Sequence, residues 1–125
     1  MSAGAAVPVA PDRVAILYRE SMRLAEAARC YFDRDGVAVR SRLRPETRAA
    51  VAAESLRISA RLLEIVSWLL VQQAIASGDG AGSARLVDND VAAPPLPADF
   101  PEPARIIAAA TRALYGEVRE LVAAR

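Results

Sequence analysis

The nearest approach to chemistry in this chain is a set of five aspartates. Asp33, Asp35, Asp79, Asp88 and Asp90 fall in or beside expected loops, and Asp88 and Asp90 are spaced like the first two ligands of a calcium loop. The central glycine and terminal glutamate of an EF-hand are missing, so no metal site is expected there. Histidine is absent, which removes the commonest acid–base catalyst and the commonest nitrogen ligand. Cys30 is the single cysteine. It falls on the side of its helix that carries Ile16 and Ala27, away from the apolar face, and nothing near it in sequence activates a thiolate. No glycine-rich phosphate loop follows a strand, and no nucleophile is paired with a base. No catalytic residue, cofactor or metal is expected, and the chain reads as a non-enzyme.

What remains is contact chemistry on one long helix. Glu54, Arg57, Arg61 and Glu64 are three or four apart, on the stripe opposite the helix's main apolar line. The plain expectation is a solvated ladder of ion pairs; the alternative is a docking stripe. Trp68 continues the same stripe one turn beyond Glu64, and Val71 and Ile75 follow it. The outer side therefore changes from charged to apolar at Trp68. Tryptophan is enriched at the centres of interfaces. A second chain covering Arg61, Glu64, Trp68, Leu69, Val71, Gln72 and Ile75 is the expectation, in preference to a loop folded back over Trp68. Such a contact would make the protein a homodimer built on the C-terminal half of this helix.

The elements that must position these residues follow from periodicity. Residues 1–11 have no period and read as a flexible N-terminal arm. A first helix is predicted from about 13 to 33, with Asp12 as its N-cap, with Val14, Leu17, Leu24, Tyr31 and Phe32 on its core face, and with Asp35 and Gly36 ending it. Pro45 and Glu46 suit the first turn of a second helix that runs to Ser77 and stops at Gly78, roughly 48 Å in length. Its predicted core line is Val51, Ser55, Ile58, Leu62, Ile65, Leu69, Gln72 and Ala76, widened by Leu56, Leu63, Val66 and Leu70. Residues 78–98, rich in proline and glycine, read as a long flexible connection. Asp99 and Glu102 have the spacing of a capping box for a third helix, over about 101–123. The prediction is an all-α fold: an up-down-up bundle of three helices with a long central one, forming a single domain over 12–125.

Composition bounds the partners. The chain has 125 residues, enough for one modest core. Its basic residues number 16 against 15 acids, for a net charge of +1, which is not the footprint of a nucleic-acid binder. All 16 are arginines. A lone cysteine, no signal-peptide pattern, and an uncharged run from Ile65 to Gly78 too short for a bilayer all predict a cytoplasmic protein with no membrane partner.

Two segments resemble the RcdA family, the "regulator of CtrA degradation" proteins of alphaproteobacteria. The first runs Leu17-Tyr18-Arg19-Glu20-Ser21-Met22-Arg23-Leu24 and on to Arg29-Cys30-Tyr31-Phe32-Asp33. The second is Glu54-Ser55-Leu56-Arg57, then Arg61-Leu62, Ser67-Trp68-Leu69-Leu70, Gln72 and Gly78-Asp79. A weaker third piece is Leu96-Pro97 with Phe100, then Leu114, Val118 and Leu121. The resemblance implies a three-helix, dimeric, non-enzymatic adaptor that helps a ClpXP-type AAA+ protease receive cell-cycle regulators. It carries Trp68, Leu69 and Gln72 over as interface positions, and Tyr31 and Phe32 as core. The sequence ends just after the third helix, a departure from family members with a flexible C-terminal extension, and whether the long 78–98 connection takes that role is left open by the sequence. The alternative is a helical homodimeric interaction module with unrelated partners.

Overall fold

The computed structural model describes residues 9–78 and 94–124. Helix α1 spans Pro11–Cys30 and runs on through a wide π turn, Tyr31–Asp35. A four-residue helix, α2 (Val37–Arg40), leads to α3 (Pro45–Ala76), and α4 covers Glu102–Ala123. Each predicted helix is present to within a few residues, and α3 is the longest, at 32 residues. Proline starts each long helix because the first turn needs no N–H from it. Gly78, with φ at +85°, ends α3 in the left-handed region that glycine alone enters freely.

Several local expectations are corrected. Asp12 lies in the first turn of α1 rather than at the cap, which is Ala10. The stretch between the first two predicted helices, for which no helix was expected, contains α2. Asp99 does not cap α4, whose N-cap is Pro101. Its carboxylate instead accepts a 2.7 Å hydrogen bond from the Thr47 hydroxyl in the first turn of α3, and it pairs with Arg44 at 3.3 Å. Those partners hold the Asp99 carboxyl below its ordinary range, Arg44 first and Thr47 second.

That contact overturns the up-down-up order. The start of α4 sits beside the start of α3, and further along Arg112 reaches Glu54 and Tyr115 reaches Glu64. Positions advance together on both helices, so α3 and α4 run parallel. The short link between α1 and α3 makes those two antiparallel. Arg13, near the start of α1, pairs at 2.7 Å with Glu117, late in α4. The topology is up-down-down. A connection as long as 77–101 permits this because it can return the chain along the bundle, as long crossovers do in helical folds. Its central residues, 79–93, lie outside the described residues, as does most of the predicted arm (1–8).

The core is a single cluster. Val14, Leu17, Leu24, Tyr31 and Phe32 come from the first helical stretch. Val51, Ile58, Leu62, Ile65, Trp68 and Leu69 come from α3, and Ile107, Leu114, Tyr115 and Val118 from α4. Tyr31 and Phe32 are adjacent in sequence yet both buried, with their rings edge to face at 5.2 Å. The wide π turn sets both side chains inward. Gly36 closes it against the Tyr31 ring, where a Cβ would stand 2.8 Å from Cζ. By length and composition α3 could cross a membrane, with a mean hydropathy of 1.3 in its best window. Here it serves as the core helix: Val51, Ile65 and Leu69 are fully enclosed against α1 and α4.

Candidate protein–protein interface

The charged stripe and Trp68 lie on the inside of the bundle. Glu54, Arg61 and Trp68 are seven residues apart, hence on one line of α3, and all three are buried. Trp68 is 1% exposed, so the outward position expected for it is wrong. Arg61, Leu69 and Gln72 are buried as well, while Glu64, Val71 and Ile75 are half-buried. The residues of the expected patch are thus largely consumed within one protomer. The physical reason is α4, which runs beside this line and covers it.

The acid–arginine ladder becomes a buried network. Glu54 is completely enclosed. One of its oxygens accepts from Arg61 at 3.2 Å. The other lies 3.4 Å from Arg57 and 3.6 Å from Arg112 of α4. Three arginines thus surround one enclosed carboxylate. The Tyr115 hydroxyl donates to Glu64 at 3.0 Å, a second polar tie between α3 and α4. The solvated-ladder expectation is therefore overturned along with the docking stripe: these charges fasten α4 to α3.

The apolar surface left open lies on the opposite side of α3. Leu56 is 72% exposed, Leu63 69% and Leu70 48%. These are the residues assigned in sequence to a widened core face. With Ala52, Ser59, Val66 and Gln73 they form a line whose steps alternate four and three, the spacing of a helix-packing seam. Beside it, between α1 and α3, runs an open groove of about 500 Å³ whose walls include Met22, Ala25, Phe32, Leu62 and Val66. Signals for this face were present in the sequence: three leucines seven apart, with small or uncharged residues between them on the same line. The inner line of Val51, Ile58, Leu62, Ile65 and Leu69 was assigned correctly, but periodicity did not reveal that this second line stays outside the core.

Chemical groups are sparse. Among the described residues no three His, Cys, Asp or Glu side chains gather as metal ligands do. Cys30 is half-exposed, with Glu26 at 3.4 Å and Arg34 at 3.7 Å from its sulfur. Gly116 faces open space and needs no close partner.

A model of a family described as a protein of unknown function, DUF1465, matches residues 6–124. The chain belongs to this family. Among solved structures it is similar to the crystal structure of RcdA from Caulobacter crescentus CB15, with 28% identity over 86% of each chain and a TM-score of 0.67. The family is thus RcdA-like, as the sequence resemblance implied. No curated protein matches the chain.

Proposed function

We propose that this RcdA-like protein is a non-enzymatic adaptor that presents cell-cycle regulators to a ClpXP-type AAA+ protease in the cytoplasm, acting as a homodimer. The observation that carries this is the shared fold with RcdA over 86% of both chains, together with the matching family model. The architecture suits the role. A core fastened by ion pairs leaves one long helix face open for protein contact. The two polar ties between α3 and α4 fix the bundle, so partner binding can occur on a preorganised surface.

The test is a reconstituted degradation assay, with affinity capture from the native cell beside it. The expected result is recovery of the AAA+ unfoldase or its regulators, and faster turnover of a cell-cycle substrate when the protein is added. If capture returns unrelated partners and turnover does not change, the protein is instead a helical interaction module of another pathway.

A further inference from the structure

We infer that the outer edge of the Glu54 network is a binding site for a carboxylate carried by a partner polypeptide, gripped by Arg57 and Arg61 of α3. The site is a pocket of about 230 Å³ lined by Leu56, Arg57, Ala60 and Arg61. It goes beyond the adaptor reading and holds whether or not a protease receives the partner.

Positive groups outnumber negative ones at this place. The guanidinium groups of Arg57, Arg61 and Arg112 face a single carboxylate, that of Glu54. Arg57 and Arg112 reach the same oxygen, at 3.4 and 3.6 Å, so their heads stand close together. Glu64, one turn beyond Arg61, accepts from Tyr115 instead. The surplus is local, in a chain that sets 15 acids against its 16 arginines.

The donors left over decide what the site takes. A guanidinium presents five N–H bonds, and the edge formed by Nε and Nη2 matches the two oxygens of a carboxylate. Three other arginines of this protein are filled in that way. Arg23 engages Glu20 through Nε and Nη2, Arg29 engages Glu26, and Arg44 engages Asp99. Arg57 and Arg61 differ. Each donates to Glu54 from Nη1 alone, and among the described residues the Nε–Nη2 edge is unused. For Arg61 this is unfavourable: its side chain is 3% exposed, and its Nε is a buried donor without an acceptor. A carboxylate entering the pocket beside Arg61 supplies that acceptor.

Size and walls narrow the class. The pocket is smaller than the ~300–1,000 Å³ of a small-molecule site, and suits one side chain. Leu56, open to solvent, and Ala60 give it an apolar lip. That lip fits the methylene stem of an aspartate or glutamate and an apolar neighbour in the same segment.

Two peptides of one shape test the site: acetyl-Leu-Glu-Leu-amide and its neutral twin acetyl-Leu-Gln-Leu-amide. Each is titrated into the isotope-labelled full chain, with the arginine Nε–H resonances as the readout. The glutamate peptide should shift the Arg57 and Arg61 resonances saturably, and the glutamine peptide should not. Arg57→Gln should weaken binding about tenfold, the worth of one charged hydrogen-bonded contact. Arg57→Lys should weaken it too, because the charge stays and the fork is lost. Arg48→Gln, at an exposed arginine of the same helix outside the pocket, should bind as the parent does. Circular dichroism verifies that each variant is folded. Equal shifts with the two peptides, no saturable shift at Arg61, or equal damage from Arg48→Gln and Arg57→Gln would overturn the inference. Inorganic phosphate is the third probe, and shifts with phosphate but none with the glutamate peptide would overturn the carboxylate assignment. Protease capture plays no part in these readouts, so the adaptor function and this site stand or fall separately.

Discussion

Replacing Glu54 with alanine should be among the most damaging single changes in the protein. Glu54 is fully enclosed and Arg61 is 3% exposed, with 3.2 Å between their charged atoms. Removing the carboxylate strands the Arg61 guanidinium in the core. Breaking a buried pair in this way costs about 3–5 kcal/mol, because one charge is left without compensation. Arg57 and Arg112 share the same carboxylate, but their side chains are 38% and 40% exposed and can turn to water. Truncating Arg57 should therefore cost only about 0–1 kcal/mol. A third variant separates charge from packing: Glu54→Leu combined with Arg61→Met removes both buried charges and should restore most of the loss. The measurement is urea denaturation followed by far-UV circular dichroism, with all variants at one protein concentration so that association contributes equally. If Glu54→Ala costs no more than Arg57→Ala, the network is solvated and the buried assignment fails.

Other consequences are as direct. Trp68→Ala should cost about 3–5 kcal/mol as a core truncation, and Trp68→Glu should unfold the protein rather than yield a helical monomer, read by thermal melts with sedimentation. Gly36→Ala should destabilise by about 1–3 kcal/mol, because its Cβ would meet the Tyr31 ring and backbone at 3.0 Å or less; a melting temperature equal to wild type would show that the π turn yields freely. The Asp99 carboxyl is depressed in the folded state by Arg44 and Thr47, so its contribution is present above the unfolded value of about 3.9 and disappears as pH falls through the folded value. The stability gap between wild type and Asp99→Asn should thus be present at neutral pH and shrink in acid, and a gap that is flat with pH would remove Asp99 from that role.

The sequence disclosed the elements better than their arrangement. Helix spans were legible because Pro45 and Gly78 bracket α3 and because apolar residues recur by threes and fours. Tyr31 and Phe32 were legible as core, although the π turn that admits both has no residue signature of its own. The main core line of α3, Val51 through Leu69, was legible, but the two stripes flanking it were exchanged: Glu54, Arg61 and Trp68 are inside and Leu56, Leu63 and Leu70 outside. Charged residues are normally outside, so Glu54 and Arg61 appeared to mark the solvent face. In the fold they pair with each other through one guanidinium N–H, with Arg61 Nε left buried and unbonded, and the leucines opposite stay open. The direction of α4 was hidden for a different reason: a connection of more than twenty residues satisfies either orientation. Only the tertiary bonds of Asp99 and Arg112, partners far apart in the chain, decide it.

The parallel course of α3 and α4 gives each protomer an electrical polarity. Peptide dipoles in the two helices add, and the single antiparallel helix α1 cancels only part of the sum. At the positive end the first turns carry Glu46 and Glu102, which match the field. At the other end the last turns of α3 and α4 hold no basic residue of their own. Two such protomers laid side by side head to tail bring each negative end toward a positive one, whereas the same two laid head to head stack like ends together. The two ends of the bundle are thus electrically distinct, and a charged partner approaching one end meets a field opposite in sign to that at the other.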